Sequence, residues 1–335
     1  MDWKYCEEIL PKVSRTFALN IVKLEGDTYK AVTISYLLLR IADTFEDNIY
    51  QTEEEKIAAL SSLASIFEGN KDLDERLHLY ESLKFLWQEK SPEKDLVENG
   101  DRVLKCYREL PSVYQRIIDP LLVESMEGMA KFQRRKLECP SKIFQLEDLK
   151  DLEQYCYYVA GIVGIILTRI FSLNEGISPK KSELEKYQVE FGLALQLTNI
   201  LKDWQKDLKR GWCYLPYSIT QKWKINLEKG LSQPQQIGII KDLIPWILSY
   251  FDSALKYIEI LPKEERSIRL FCIIPFVLAY RTLRNIIKRQ GDKISREEVL
   301  KILEISNDYA ESNKLLREDY LRIKITVQRG LRVKP

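Results

Sequence analysis

The chain has 335 residues, 45% of them hydrophobic, which is enough for one large domain with a sizeable core or for two ordinary domains. Lys and Arg number 52 against 50 Asp and Glu, so the net charge of +2 gives no support to a nucleic-acid partner. A single histidine, His78, argues against histidine-based zinc sites and Ser-His-Asp triads, and the absence of G-x-G-x-x-G and G-x-x-x-x-G-K-[ST] motifs excludes the usual dinucleotide and phosphate loops.

The cysteines and the apolar runs indicate a cytoplasmic protein. Six cysteines are scattered without a C-x-x-C pair, which predicts reduced and buried thiols. The N-terminus lacks the charged-then-apolar pattern of a signal peptide. The longest apolar run, Tyr155 to Thr168, has fourteen residues and is typical of a core helix, because it is too short to span a bilayer.

The hydrophobic pattern predicts helices nearly throughout, because apolar residues recur with a period near 3.6 and no run alternates as a strand would. We predict a first helix over residues 2–13 and another from Thr28 to Asp47, after a turn at Gly26. Thr52-Glu53-Glu54-Glu55 is a capping-box sequence that opens a further helix, which Gly69-Asn70 is predicted to break.

Serines and prolines mark the later boundaries. Ser91-Pro92 is typical of an N-cap followed by proline at the first helical position. Ser178-Pro179 is predicted to open the helix that carries a second acidic stretch, and Ser295-Arg296-Glu297-Glu298 to form a second capping box. Further boundaries are predicted at Pro111, Pro120, Pro140, Pro234, Pro245 and Pro262. No linker or repeat is present, so we predict a single all-α domain over residues 1–335.

The stretch from Tyr36 to Asp47 ends a strongly apolar predicted helix with carboxylates. Asp43 and Asp47 are four residues apart, so both lie on one face of a helix. Their repulsion costs roughly 0.2–0.5 kcal/mol even in water. It costs more beside an apolar wall unless a cation neutralises the pair.

The same spacing recurs at Asp203 and Asp207, at the end of Gln196 to Asp207, which follows the apolar run Phe191 to Leu197. Two such pairs predict one site with two metal-binding walls. Oxygen ligands favour Mg²⁺, which keeps waters and bridges to substrate phosphates, with Mn²⁺ as the alternative metal. The competing interpretation is that each pair is a solvated helix face. A single pair would favour that interpretation, whereas the repeated apolar lead-in favours the metal site.

Five segments, in order along the chain, resemble the motifs of the squalene/phytoene synthases, the head-to-head prenyltransferases. They are Ser14 to Phe17 (S-R-T-F), Tyr36 to Asp47 (Y-L-L-L-R-I-A-D-T-F-E-D), Tyr155 to Gly164 (Y-C-Y-Y-V-A-G-I-V-G), Gln196 to Asp207 (Q-L-T-N-I-L-K-D-W-Q-K-D) and Arg210 to Pro216 (R-G-W-C-Y-L-P). The resemblance implies a helical isoprenoid-synthase bundle around a central cavity.

The resemblance also implies the family's chemistry. Two allylic diphosphates are joined through their C1 carbons, by way of a cyclopropyl diphosphate. Mg²⁺ held by both aspartate motifs binds diphosphate and assists its departure. Squalene synthases then reduce the final cation with NADPH, whereas phytoene synthases lose a proton instead.

Residue roles follow from the same resemblance. The implied metal ligands are Asp43, Glu46, Asp47, Asn199, Asp203 and Asp207. The implied substrate-binding residues are Ser14, Arg15, Tyr36, Arg40, Gln196, Lys202 and Arg210. The residues implied to hold NADPH are Arg15, Arg40, Lys202 and Lys293. Tyr155 and the four aspartates are the implied catalytic residues, with Tyr155 lining the path of the cation and helping proton transfer. The family often has arginine at the position of Lys202. This lysine keeps the positive charge but loses the bidentate fork of arginine. Lys293-Ile294-Ser295 matches only part of the family's K-x-R pattern.

Some of the motifs favour one product and some favour another. Tyr155 to Tyr158 and Arg210 to Pro216 resemble phytoene synthases, whereas Ser14 to Phe17 and Phe271 to Pro275 resemble squalene synthases. We expect a squalene synthase acting on farnesyl diphosphate. The alternative is a phytoene or dehydrosqualene synthase, with geranylgeranyl diphosphate as a further candidate substrate. A catalytically silent binding subunit is the hypothesis of another class, and the intact aspartate pairs argue against it. We also expect a monomer in the cytoplasm with peripheral membrane contact, because the product would be a water-insoluble hydrocarbon.

Overall fold

The computed structural model describes residues 1–69, 71–83, 90–228, 230–288 and 294–332, except the side chains of Arg15, Gln233, Leu331 and Arg332. The described residues are mostly helical, which confirms the predicted class. The helices are α1 (Asp2–Val13), α2 (Arg15–Ile21), α3 (Gly26–Asp47), α4 (Glu53–Ser65), α5 (Leu73–Glu81), α6 (Pro92–Glu98), α7 (Gly100–Arg108), α8 (Ser112–Glu138), α9 (Leu149–Cys156), α10 (Ile162–Phe171), α11 (Lys181–Leu184), α12 (Gln188–Lys209), α13 (Tyr217–Lys222), α14 (Gln233–Ile260), α15 (Arg266–Lys288), α16 (Arg296–Glu311) and α17 (Asn313–Arg332). A π-helical turn at Tyr157–Gly161 separates α9 from α10, and a 3₁₀ turn at Ser178–Lys180 precedes α11.

The chain divides into two compact units. The first comprises Met1–Pro140 with Ile166–Asn174, and the second Ser141–Ile165 with Glu175–Pro335. One unit boundary falls within α10. That the whole chain forms a single domain stays a prediction.

The first unit is built around α3, which is apolar on nearly every face. Its residues Ile34, Leu37, Leu38, Ile41 and Phe45 are completely buried. The helix packs against α1, α4, α6, α7 and α8, and α4 packs along α8. Because α3 is enclosed by these neighbours, its last turn, which carries the first acidic stretch, is held in a defined position.

Helix starts follow the sequence closely. Thr52 and Glu55 form the predicted capping box of α4, and Ser91 caps α6 with Pro92 at its first position. Ser295 caps α16 through the amide of Glu298. The side chain of Glu298 contacts Arg284 at 2.7 Å, so the reciprocal half of the second predicted box is replaced by an ion pair.

Three boundary predictions are wrong. Pro120 lies inside α8 and Pro245 inside α14. An interior proline removes one helical hydrogen bond and costs about 3 kcal/mol, but these helices have 27 and 28 residues and pack along most of their length. Ser178-Pro179 opens only the 3₁₀ turn and α11, and the helix with the second acidic stretch begins separately at Gln188.

The second unit positions α12 against α14, α15 and the π-helical turn. Glycines allow the closest approach. A Cβ on Gly164 would overlap the carbonyl of Gln188, and a Cβ on Gly192 would overlap the carbonyl of Ala160. Backbone therefore packs directly on backbone where α12 passes the segment that follows Tyr155.

A short parallel strand pair, which the sequence did not predict, completes the second unit. β1 (Phe144–Gln145) pairs with β2 (Trp212–Cys213). With two residues each, these strands are too short to show an alternating pattern. The pair fixes the chain just after α12.

Among the described residues, two helical stretches are long and apolar enough to cross a membrane by length and composition, Leu149–Phe171 and Arg266–Lys288. The apolar window of the first is 50% buried inside the protein and that of the second 78%. Core helices share these properties, and α15 is mostly buried, so neither stretch is by itself evidence of a membrane span.

Candidate functional site

The first acidic stretch lies at the C-terminal end of α3. Arg40 Nη1 lies 3.8 Å from Asp43 Oδ2, and the Asp43 side chain is 40% exposed. Burial by the surrounding protein raises the pKa of Asp43 to about 6, with Arg40 opposing the shift and Asp47 adding to it. A nearby cation would therefore stabilise the ionised form of Asp43.

Arg40 joins this stretch to a residue that the sequence did not single out. Its Nη2 donates to Glu93 Oε1 at 3.1 Å. Burial acts to lower the pKa of Arg40, but the charges of Asp43 and Glu93 outweigh it and raise the pKa. The buried Arg40 Nε has no hydrogen-bond partner within the described part of the chain. Arg40 thus keeps a donor for an anionic ligand.

Tyr36 lies close to both Ser14 and Arg40. The Ser14 hydroxyl caps α2 by accepting from the Phe17 amide at 3.1 Å. Burial raises the pKa of Tyr36, and hydrogen bonding to Ser14 and the charge of Arg40 oppose the shift. The Phe17 and Tyr36 rings pack with centroids 5.5 Å apart. The structure therefore brings Ser14, Tyr36, Arg40 and Asp43 together, while the Arg15 side chain lies outside the described residues.

Glu46 and Asp47 differ in exposure. Glu46 is 5% exposed, whereas Asp47 is exposed. Both act electrostatically on Lys56, a buried residue of α4 that the sequence did not predict to be functional. Burial lowers the pKa of Lys56, while Glu53, Glu46 and Asp47 oppose the shift. Glu46 therefore lies in the interior near the buried charge of Lys56, whereas Asp47 is exposed to solvent.

The second acidic stretch occupies the last turns of α12, where cations already contact its carboxylates. Lys202 Nζ lies 3.1 Å from Asp203 Oδ2, and Lys206 forms a second, closer ion pair with Asp203. Partial burial acts to raise the pKa of Asp203, but Lys206 and Lys202 outweigh it and lower the pKa. Asn199 Oδ1 accepts from Lys202 at 3.2 Å.

Asp207 and Arg210 form the last contact of this stretch. Arg210 Nη2 donates to Asp207 Oδ1 at 2.6 Å, and Asp207 is 6% exposed. Gln196, two turns before Asp203 on the same helix, is half-buried. The second unit thus brings Asn199, Lys202 and Asp203 together at one turn, and Asp207 and Arg210 at the next.

Tyr155 lies in an aromatic cluster of the second unit. Its hydroxyl is 2.9 Å from that of Tyr214, and the two rings stack with centroids 4.5 Å apart. Trp212 stacks on Tyr214 with centroids 5.3 Å apart and also packs against Tyr155, at 6.3 Å. The sequence identified Tyr155 by resemblance but gave no signal for its contact with Tyr214, 59 residues away.

No three Asp, Glu, His or Cys side chains in the described ranges are arranged to hold a metal ion by themselves. Each unit carries one aspartate pair. Such pairs fit Mg²⁺, which takes few carboxylates and completes its coordination with water and substrate phosphate. Lys293, the predicted NADPH contact, lies outside the described residues.

The comparisons with known proteins decide the family. The family model described as Squalene/phytoene synthase matches residues 10–304. The chain belongs to the squalene/phytoene synthase family.

Curated relatives with similar sequences include squalene synthases. The mouse enzyme is 30% identical over 284 residues, covering 84% of this chain and 62% of the mouse protein. The Dictyostelium discoideum enzyme is 32% identical over 285 residues, covering 84% of this chain and 63% of that protein. This chain therefore spans less than two thirds of the length of these relatives.

Solved structures of the family share the fold. A complex of TcSQS with a ligand superposes with a TM-score of 0.78, 24% identity and coverage of 99% of this chain and 98% of the other. A dehydrosqualene synthase complex superposes with a TM-score of 0.63, 22% identity and coverage of 92% and 96%. These likenesses confirm the all-α isoprenoid-synthase fold expected from the motifs.

Proposed function

We propose that this protein is a squalene synthase. It would join two farnesyl diphosphates head to head through a cyclopropyl diphosphate and reduce the final cation with NADPH. Overall, two farnesyl diphosphates, NADPH and a proton give squalene, NADP⁺ and two diphosphates. The observation that carries the proposal is the similarity to curated squalene synthases over 84% of the chain. The pairing of aspartates with basic residues in both motifs supports it.

The two aspartate motifs are assigned to Mg²⁺ and diphosphate. When bound, Mg²⁺ neutralises the diphosphate and assists its departure. Asp43 and Asp47 would hold metal in the first motif, with Glu46 supporting them from its buried position. Asp203 and Asp207 would do so in the second, with Asn199 as a neutral oxygen ligand. The raised pKa of Asp43 supports this assignment, because a nearby cation relieves the cost of ionising a partly buried carboxyl group.

The basic residues are assigned to the diphosphate oxygens. Arg40 carries a buried Nε without a described hydrogen-bond partner, and a charge-assisted bond to an anion would satisfy it. Lys202 and Arg210 contact aspartates, and Mg²⁺ on those aspartates would leave their donors for diphosphate. Arg15 is assigned by its motif alone. Ser14, Tyr36 and Gln196 would contact the substrate beside these cations.

NADPH is assigned from the kinship to squalene synthases. Of its four predicted contacts, the structure describes the side chains of Arg40 and Lys202. Both are only partly exposed, at 28% and 29%, and both carry N–H donors suited to phosphate oxygens. Tyr155 would line the path of the carbocation and assist proton transfer.

A phytoene or dehydrosqualene synthase is the second candidate. The superposition on a dehydrosqualene synthase and the Arg210 to Pro216 segment favour it. In this case the last cation loses a proton, and NADPH is not consumed. For either product we place the protein in the cytoplasm, with peripheral contact to a membrane surface that receives the hydrocarbon, and we expect a monomer.

Product analysis separates these functions. Purified protein with Mg²⁺ would receive farnesyl or geranylgeranyl diphosphate, each with and without NADPH, and hydrocarbons would be identified by mass spectrometry. We expect squalene from farnesyl diphosphate, only with NADPH. A hydrocarbon with a conjugated triene, formed whether or not NADPH is present, would establish the second candidate. Failure to release diphosphate from either substrate would contradict both and favour a silent binding subunit.

A further inference from the structure

Tyr214 makes a contact with Tyr155 to which the proposed function gives no role. The two hydroxyl oxygens are 2.9 Å apart, and the rings stack at an angle of 26°. Tyr155 is 4% and Tyr214 6% exposed. Because solvent hardly reaches them, both hydroxyls depend on protein groups for hydrogen bonds. Removing either oxygen would break the hydrogen bond between the two.

Tyr214 is also held by Trp212, which packs against Tyr155 as well, with centroids 6.3 Å apart. Its ring stacks on Trp212 at 19°, and Trp212 packs edge-on against Phe144 with centroids 5.1 Å apart. Phe144 and Trp212 are register partners in the β1–β2 pair. Gln145 Nε2 also donates to the Leu215 carbonyl at 2.7 Å, just beyond Tyr214. The strand pair therefore fixes the Tyr214 ring, and through it the hydroxyl that meets Tyr155.

We propose that Tyr214 is a positioning residue that orients the Tyr155 hydroxyl for the reaction. This inference rests on the role proposed above for Tyr155. A phenol hydroxyl rotates about its C–O bond, and a partner oxygen at 2.9 Å restricts that rotation to arrangements that keep the bond. A hydroxyl that is oriented before the substrate arrives needs no rearrangement when charge develops beside it.

The test separates the Tyr214 hydroxyl from the Tyr214 ring. Tyr214→Phe keeps the ring and its stacking on Trp212 and removes only the oxygen. We expect kcat for diphosphate release to fall about tenfold, the rate equivalent of one net hydrogen bond, with KM for farnesyl diphosphate nearly unchanged. Tyr155→Phe should lower kcat further. The double variant should match Tyr155→Phe, because the Tyr214 hydroxyl acts only through that of Tyr155.

Tyr80→Phe is the matched control. Tyr80 is fully buried in the first unit, and its hydroxyl donates to the Val97 carbonyl at 2.7 Å. This variant should lose thermal stability as Tyr214→Phe does, but keep the wild-type kcat. A merely structural role for Tyr214 would give the same result as this control.

Unchanged kcat in Tyr214→Phe, wild-type kinetics in Tyr155→Phe, or additive losses in the double variant would overturn the positioning role. The assay follows diphosphate release, which both candidate functions share, so it remains valid if the product proves to be dehydrosqualene. A wild-type product other than squalene therefore contradicts the proposed function without touching the role of Tyr214. Absence of diphosphate release from the wild type would overturn both.

Discussion

Asp43 and Asp203 each begin an aspartate pair with the same spacing, but their surroundings shift their pKa values in opposite directions. Burial raises the pKa of Asp43 to about 6, and Arg40, at 3.8 Å, only partly compensates. At Asp203, burial is outweighed by Lys206 and Lys202, and the pKa is lowered. Ionisation of Asp43 therefore destabilises the folded state, whereas ionisation of Asp203 stabilises it.

This contrast predicts a pH-dependent stability difference. The pKa of Asp43 is raised on folding, so its stabilising contribution is full below its unfolded value of about 3.9 and is lost as pH rises through about 6. Asp43→Asn cannot ionise. In EDTA, the melting temperature of Asp43→Asn should rise relative to that of the wild type between about pH 4 and pH 6. It should stay higher than that of the wild type above about pH 6. Differential scanning fluorimetry across this range measures it, and parallel curves for the two proteins would contradict the raised pKa.

Turnover should respond in the same direction at both aspartates. Asp43→Asn and Asp203→Asn should each lower kcat by about two orders of magnitude, the scale for removing a group that stabilises transition-state charge. Asp308→Asn, at an exposed position of α16, serves as the control and should retain wild-type turnover. A steady-state diphosphate-release assay makes the comparison. Wild-type kinetics in either motif variant would remove that residue from the site.

The aspartates themselves were predictable, but their partners were not. A spacing of four places two carboxylates on one face of any helix, and an apolar lead-in is visible in the sequence. The contact of Arg40 with Glu93 joins residues 53 apart, and that of Tyr155 with Tyr214 joins residues 59 apart. Such contacts depend on how helices pack, and no local pattern encodes them. Lys56 was missed for the same reason, since its burial arises from neighbours of α4.

At the level of secondary structure, local hydrogen-bonding signals were more reliable than prolines. The capping box at Thr52 and the cap at Ser91 were confirmed, because a side chain three residues from its amide partner acts locally. Pro120 and Pro245 were misread, because packing along α8 and α14 outweighs one missing hydrogen bond. The π-helical turn at Tyr157–Gly161 was not foreseen, because its apolar pattern differs little from that of an α-helix.

The packing of α12 predicts a sharp difference between two neighbouring glycines. Gly164→Ala places a methyl group on the carbonyl of Gln188, so the backbones must separate, and we expect a loss of about 1–3 kcal/mol or more in the free energy of unfolding. Gly161→Ala is the matched control. The three atoms nearest to its Cβ would all be side-chain atoms, the closest being Val189 Cγ1 at 3.1 Å, and these can rotate away. Urea titration of both variants compares them, and equal losses would contradict backbone contact as the cause.

For the whole molecule, the proposed function assigns both aspartate pairs to Mg²⁺ and diphosphate, so we expect ligand binding to require metal and diphosphate together. Mg²⁺ alone or inorganic diphosphate alone should shift the melting temperature little. The two together should stabilise the fold by about 2.7 kcal/mol at a hundredfold excess over the dissociation constant. EDTA should abolish turnover, and Mg²⁺ should restore it. Full activity in excess EDTA would contradict the metal assignment. Asp43→Asn provides the control for the melting shift, which should shrink when one pair is broken.

The reciprocal glycine contacts of α12 also restrict motion. Gly164 faces the carbonyl of Gln188, and Gly192 faces the carbonyl of Ala160. Sliding α12 by one residue, about 1.5 Å, would drive a carbonyl oxygen out of its glycine notch and against a neighbouring side chain. Slow collective displacement of this helix is therefore blocked. Adjustment to an arriving ligand is left to rotamer changes in its last turns, where an exposed side chain such as Lys206, 65% exposed, exchanges in picoseconds to nanoseconds.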